Sequence, residues 1–489
     1  MLKLTSSDIK KTVFEALVIP VCEDKNIYED LALSSLTKKA MLHKEFRGVK
    51  ENELILYNLT EIAAERVMFL GLGKADKIDH ELLRSTAGKA VRTCIDKDLA
   101  EVVIAVPSAD ALHMDVTTMI EAMLEGACLS NHIFDMYKQE KKQSVLQNIH
   151  LLVTPDTASR HKYLPPKIET ICRGSILARN WVSMPANDKR PEAFARLIEN
   201  EARKVKLKIE ILDEKDLQKG GFGALLAVAA GSDSKPRLMV LEYDPRSAKK
   251  SLVLVGKGVT FDSGGINIKP TEGLDGMKTD MSGAAAVAAT LISAARLKSG
   301  IKIIGVLPLV ENMPSGSATR PGDIVKTYAG KTVEIGNTDA EGRLILIDAI
   351  SYAIEKYKPD TLIDLATLTG ACVVALGEKI AGIFTFDDSL AAEILASGQK
   401  TFERCWRMPL PEDYKELLKS DFADINNMPG TRYGGAITAA LFLSEFVGNT
   451  RWAHIDIAGP AYSKKAGAYC TAGGTGFGVR LLCDVLDRL

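Results

Sequence analysis

Apolar residues fall in short blocks separated by stretches with helical spacing. Ala16-Leu-Val-Ile-Pro-Val21, Arg66-Val-Met-Phe-Leu70, Glu101-Val-Val-Ile-Ala-Val106 and Asn148-Ile-His-Leu-Leu-Val153 predict buried strands. Between them, residues 79–98 and 116–131 carry apolar positions compatible with helices. The alternation predicts a smaller N-terminal α/β domain over residues 1–160.

The polar, proline-bearing stretch Thr154 to Lys167 predicts a boundary, with a linker helix over residues 161–180. Beyond it, over residues 181–489, strand-like runs recur at Arg237–Glu242, Ser251–Val255, Ile301–Val306, Thr361–Leu365 and Ala453–Ile457. Helical patterns at Ala284–Leu297 and Leu346–Lys356 lie between them. Near-continuous apolar strands flanked by helices predict a larger C-terminal α/β domain around a mostly buried sheet.

Composition narrows the class. In 489 residues, 46% are hydrophobic and 26% charged, which excludes disordered and collagen-like chains. A net charge of −1 gives no global pull toward nucleic acid or anionic membrane. The polar opening predicts no signal peptide, and no apolar run is long enough to span a bilayer. Eight scattered cysteines without a Cys-x-x-Cys pair predict reduced thiols in a cytoplasmic protein.

Two glycine-rich stretches break the packing pattern. The first is Gly256-Lys-Gly-Val-Thr-Phe-Asp-Ser-Gly-Gly265, continuing through Lys269 to Asp280; the second is Gly336-Asn-Thr-Asp-Ala-Glu-Gly-Arg-Leu344. Both place carboxylates where strands are expected to end, the usual ligand edge of α/β sheets. If the second stretch is extended, Asp339, Glu341 and Arg343 project to one side. Oxygen ligands so arranged suit hard divalent cations, with Asp262 and Asp280 completing a cluster. Spacing alone leaves the other reading standing, solvated loop acids paired with nearby lysines.

These stretches resemble the leucyl aminopeptidase family, also called cytosol aminopeptidases. The hallmark Asn-Thr-Asp-Ala-Glu-Gly-Arg-Leu stands at 337–344, and Gly256–Gly265 matches the companion motif. Further matches are Trp181–Asn187, Glu311–Gly316, Pro321–Asp323, Asp364–Gly370 and Gly473–Gly478. The likeness runs from about residue 170 to the C-terminus; residues 1–160 fit only through general α/β character.

The resemblance implies a metal-dependent exopeptidase that releases leucine-like residues, with broad specificity, from peptide N-termini. It implies two divalent metal ions, manganese or zinc, held by Lys257, Asp262, Asp280, Asp339 and Glu341. Asp262 and Glu341 would bridge; Asp339 would complete one site, Lys257 and Asp280 the other. Lys269 would stabilise the oxyanion, and Arg343 would bind a bicarbonate that carries the proton. Met277, Thr367, Leu368 and Gly370 match its substrate-binding elements, and its members form hexamers. A DNA-binding or scaffolding role for the N-terminal domain is the alternative. Residues 1–150 carry 19 Lys and Arg against 23 Asp and Glu, so the usual basic footprint is missing. A two-metal phosphoesterase is a third reading, opposed by the pairing of Lys257 with Lys269.

Other signals carry less. Ala329-Gly-Lys-Thr332 ends like a phosphate loop, but Val325 replaces its first glycine; Gly71-Leu-Gly-Lys74 reads as a strand-to-loop turn. His454, inside an apolar run, reads as a satisfied core histidine. No Gly-x-Ser-x-Gly elbow supports serine chemistry.

Overall fold

The computed structural model describes residues 1–141 and 144–489. The chain forms two compact α/β units: residues 1–173 with 465–472, and residues 174–464 with 473–489.

The first unit is built on a six-stranded sheet. Its strands are β1 (Leu2–Thr5), β2 (Leu17–Cys22), β3 (Glu53–Tyr57), β4 (Arg66–Gly73), β5 (Glu101–Ala105) and β6 (Asn148–Leu152). The order is β1-β6-β5-β2-β4-β3, parallel except that β3 runs antiparallel to β4. The expected strands and the helices His80–Asp96 and Val116–Ser130 are present; β1, β3 and helix Leu31–Met41 were not foreseen. β1 and β3 are the sheet edges, short and partly exposed, so neither leaves a long apolar run. The helices start at Asp79 and Asp115, whose carboxylates accept from Leu82 N and Thr118 N. They pack so closely that a Cβ on Gly126 would stand 1.9 Å from Arg84 O, which excludes any larger residue there.

The last part of this unit comes from far along the chain. The Tyr469 hydroxyl donates to Glu81 Oε1 (2.9 Å), and Ala468 O covers Gly88, where an added Cβ would stand 2.8 Å away. The predicted boundary stretch is helical: Pro155–Arg160, then Leu164–Ser183. Pro165 and Pro166 fall in the first turn of the longer helix, where the missing N–H costs nothing, so they do not mark a loop.

The second unit carries a nine-stranded sheet. In chain order the strands are β7 (Lys208–Leu212), β8 (Arg237–Tyr243), β9 (Ser251–Gly256), β10 (Gly258–Asp262) and β11 (Lys302–Asn312). After a small hairpin of β12 (Ile324–Lys326) and β13 (Thr332–Glu334) come β14 (Thr361–Ala366), β15 (Ala381–Phe384) and β16 (Cys405–Arg407). β17 (Ile425–Asn426) pairs with the hairpin, and β18 (Trp452–Asp456) returns to the main sheet. The order is β16-β15-β18-β14-β9-β11-β8-β7, with β10 also beside β11. The centre, β18-β14-β9-β11, is parallel, buried and mostly apolar, as helices Ser282–Leu297 and Glu341–Tyr357 cover it. Among the described residues no helix is long and apolar enough to cross a membrane, and the eight cysteines form no disulfide.

Candidate metal centre

The site forms where central strands of the second unit end. β9 and β10 both run parallel to β11, so the chain advances along one partner and kinks at Gly256-Lys257-Gly258. The kink is held by Lys257 N donating to Leu365 O (3.0 Å) and Ala284 N donating to Lys257 O (2.8 Å). It aims the Lys257 side chain inward. Nζ lies 2.8 Å from both Asp280 Oδ1 and Glu341 Oε1 and donates to Thr367 O (2.9 Å).

Asp262 ends β10 at a tight turn, where Gly264 and Gly265 take positive φ (+88° and +65°). Its Oδ1 accepts from Gly264 N (2.9 Å) and Asn312 Nδ2 (2.8 Å), leaving Oδ2 to meet Lys269 Nζ at 2.9 Å. Lys269 also pairs with Asp339. Asp280 follows the short 3-10 turn Met277–Thr279; Oδ1 accepts from Thr367 Oγ1 (2.7 Å), while Oδ2 is buried without a partner among the described residues.

The second stretch is not extended as expected. Asp339 lies in a turn, and Glu341 is the first residue of helix Glu341–Tyr357. The two carboxylates therefore reach the cluster from a turn and a helix start, not from one face of a strand. Asn337 Oδ1 accepts from Asp339 N (2.8 Å) and shapes that turn. A carboxylate in the first helical turn also meets the positive end of the helix dipole.

Ligand-capable oxygens of Asp262, Asp280 and Glu341 all lie within 4.8 Å of one another. Burial raises the Asp262, Asp280 and Asp339 carboxyls, and the neighbouring acids of the cluster push the same way against the lysines. Burial alone would depress Lys257 and Lys269, but the surrounding carboxylates hold both well above the ordinary lysine value. Buried oxygens crowded to this degree, one of them orphaned, are a donor set that suits hard divalent cations. Asp262, Asp280 and Glu341 are each 5% exposed or less, so they are not solvated loop acids, although they and Asp339 do pair with Lys257 or Lys269.

Arg343 is buried beside this group, with Nη1 donating to Asn427 O (2.8 Å) and Nε without a partner among the described residues. Burial lowers its guanidinium to about 10, with Glu341 and Asp456 opposing. A cavity of about 270 Å³ opens here, lined among others by Lys269, Asp339, Arg343, Leu368 and Gly370. Thr367 is tied to Asp280 and Lys257 as described, and Leu368 N donates to Asp456 Oδ1 (3.2 Å). Met277 sits at the start of the turn before Asp280 and is not part of that cavity wall.

Reading residues one by one passed over Asn312, Asn427 and Asp456. Asn312 and Asn427 brace Asp262 and Arg343; Asp456 holds the Leu368–Thr369 turn, accepting from Thr369 Oγ1 at 2.7 Å. Asn312 stands in the Glu311–Gly316 match and could have been weighed; Asn427 and Asp456 gave no signal. His454 is buried, but only half satisfied: Nδ1 lies 2.6 Å from Asp364 Oδ1, and Nε2 has no partner among the described residues.

The catalytic-domain model of the Cytosol aminopeptidase family matches residues 176–483, and the N-terminal-domain model matches residues 23–141. The chain belongs to the cytosol aminopeptidase family. By that membership it is a hydrolase of the aminopeptidase class. The family likeness thus extends into the first unit, where sequence motifs had shown only α/β character. Relatives include the "Probable cytosol aminopeptidase" of Geobacter sp. (strain M21), 42% identical over 100% of this chain and 99% of that protein. The protein of the same name from Clostridium perfringens (strain 13 / Type A) is 38% identical over 98% of each. Among solved structures, "Bottromycin maturation enzyme BotP" is 33% identical with a TM-score of 0.86, covering 97% of this chain and 99% of that one. A structure of it "in complex with Mn" gives a TM-score of 0.87.

Proposed function

We propose that this family member removes single, preferably leucine-like residues from peptide N-termini with two divalent ions, manganese or zinc, as cofactors. The observation that carries the reading is the buried convergence of Lys257, Asp262, Asp280 and Glu341 with one carboxylate oxygen left over. Lys257, Asp280, Asp262 and Glu341 would hold one ion, and Asp262, Glu341 and Asp339 the other, the shared acids bridging. When bound, the ions would supply Lewis acidity toward the scissile carbonyl and the attacking water, and a seat for the free α-amine.

The chain's own groups do the rest. Lys257 has to release its proton to donate a lone pair, which cations in the cluster favour. Lys269, kept cationic by Asp262 and Asp339, stands ready for the negative charge that develops on the carbonyl oxygen. Arg343 cannot serve as a base; its unpartnered Nε is suited to an anion, and it would hold a bicarbonate that supplies proton-accepting and proton-donating capacity beside the site. Met277 and the Thr367–Gly370 turn would form the walls for the first side chain and peptide backbone, discriminating by size and so only modestly. Cysteines without disulfides fit a cytoplasmic setting, and we expect a hexamer on family grounds. The DNA-binding alternative has no observation in its favour.

Hydrolysis of leucyl-p-nitroanilide tests the reading, after chelation and again with added manganese or zinc, beside Asp339→Ala. Metal-restored activity in the parent, absent from the variant, is expected. No activity under either metal would sink it.

A further inference from the structure

The 270 Å³ cavity beside the cluster has a direction. Its wall includes Lys269, Asp339 and Arg343 but none of Lys257, Asp280 and Met277. On the proposed function, on which this inference rests, the first side chain lies against Met277, outside this wall, and the peptide backbone passes along the Leu368–Gly370 turn that borders the cavity. The cavity therefore receives the other side of the scissile bond, the portion that leaves.

That wall is cationic. Lys269, Arg343 and Arg432 stand on it against one carboxylate, Asp339, which Lys269 already engages. Arg432 differs from the other two cations. It is exposed, precedes helix Gly435–Ser444, and has no acidic partner among the described residues. Its guanidinium lies 5.6 Å from the Tyr433 ring centre, a contact that leaves its N–H edge available. A planar, always charged fork at the outer wall of a pocket matches a carboxylate.

We propose that Arg432 is a specificity-determining residue that pairs with a carboxylate on the leaving side of the substrate. The favoured substrates are then short peptides whose own C-terminal carboxylate falls within reach. Amidated or uncharged leaving groups lose that contact. The effect belongs to substrate binding, so it falls on KM more than on kcat.

The test compares kcat/KM for leucylglycine and leucylglycinamide with the manganese-loaded enzyme. The parent is expected to favour the free acid by about tenfold, the scale of one charge-assisted bidentate pair, with the preference shrinking as salt is raised. Arg432→Gln brings the ratio near one, Arg432→Lys retains part of it, and Arg432→Glu inverts it. A ratio taken on one preparation is insensitive to how much of the variant is folded or loaded. A parent ratio near one, or a ratio unmoved in Arg432→Glu, overturns the inference while leaving the aminopeptidase reading intact. Failure to cleave leucyl-p-nitroanilide as well removes that reading and this one with it.

Discussion

Gly342 lies directly against the side chain of Lys257: a Cβ built on it would stand 2.6 Å from Lys257 Cε and 2.7 Å from Nζ. Lysine side chains usually yield to such a clash. This one is buried and tied to Asp280, Glu341 and Thr367 O, so it has nowhere to go. Gly342→Ala is expected to keep its secondary structure, since alanine suits a helical position. Its activity on leucyl-p-nitroanilide should fall by about a hundredfold or more, as a misplaced catalytic group commonly costs that much. Circular dichroism beside the activity assay checks it; an active Gly342→Ala enzyme would show that Lys257 is free to move.

Removing charge from the cluster should separate metal binding from folding. Asp280→Asn keeps the shape of the side chain and its bond with Thr367, but takes away the ionised oxygen that has no partner. With saturating manganese the parent's melting temperature is expected to rise, because a ligand that binds only the folded state stabilises it. The variant should show a much smaller rise. Equal shifts in the two proteins would place the ion elsewhere.

Asp348, two turns into helix Glu341–Tyr357, is fully buried and accepts from Leu225 N (2.9 Å) and Tyr328 N (2.8 Å). Burial pushes its carboxyl up to about 7, against the pull of those N–H groups. A folded value above the unfolded one, about 4, means stability that is complete below pH 4 and lost as pH rises through 7. Asp348→Asn abolishes this titration. Its stability relative to the parent should therefore improve, by a few kcal/mol at most, between pH 5 and pH 8. Urea melts at both values decide, and parallel changes would show that Asp348 is ionised throughout.

His454 and Asp364 give a dependence of the same sign from the opposite cause, a charged form favoured instead of a neutral one. Burial lowers the imidazole, but Asp364 beside it, with Asp456 further on, raises it above its ordinary value despite Arg343. That contribution is whole below about pH 6.5 and fades as pH rises through the raised value. Asp364→Asn should cost about 3 kcal/mol at pH 6, the scale for breaking a buried pair, and less at pH 9. A penalty independent of pH would assign the loss to the Trp452 Nε1 bond (2.7 Å) alone.

The central strands were legible because a sheet covered on both faces is mostly apolar, and β9, β11 and β14 are so apart from a few polar positions such as Asp364. The edges β1 and β3 were not, since half-exposed positions dilute that pattern. At the site, spacing offered Asp262, Asp280, Asp339 and Glu341 as a candidate cluster, while Lys257 came only from the family resemblance. Their local geometry was not readable: nothing in Asn337–Leu344 separates an extended run from a turn opening a helix. Asn427 and Asp456 act through bonds to residues 84 to 88 positions earlier in the chain, which no local pattern encodes.

The short segment Lys465–Ala472 gives the first unit an unusual ancestry problem. A module that borrows part of its wall from residues 465–472 cannot be cut out, swapped or lost as one continuous piece. A fragment ending at residue 173 would lack the tyrosine that reaches Glu81 and the carbonyl that covers Gly88. Recombination between relatives would have to exchange residues 1–173 and 465–472 together to keep that unit whole.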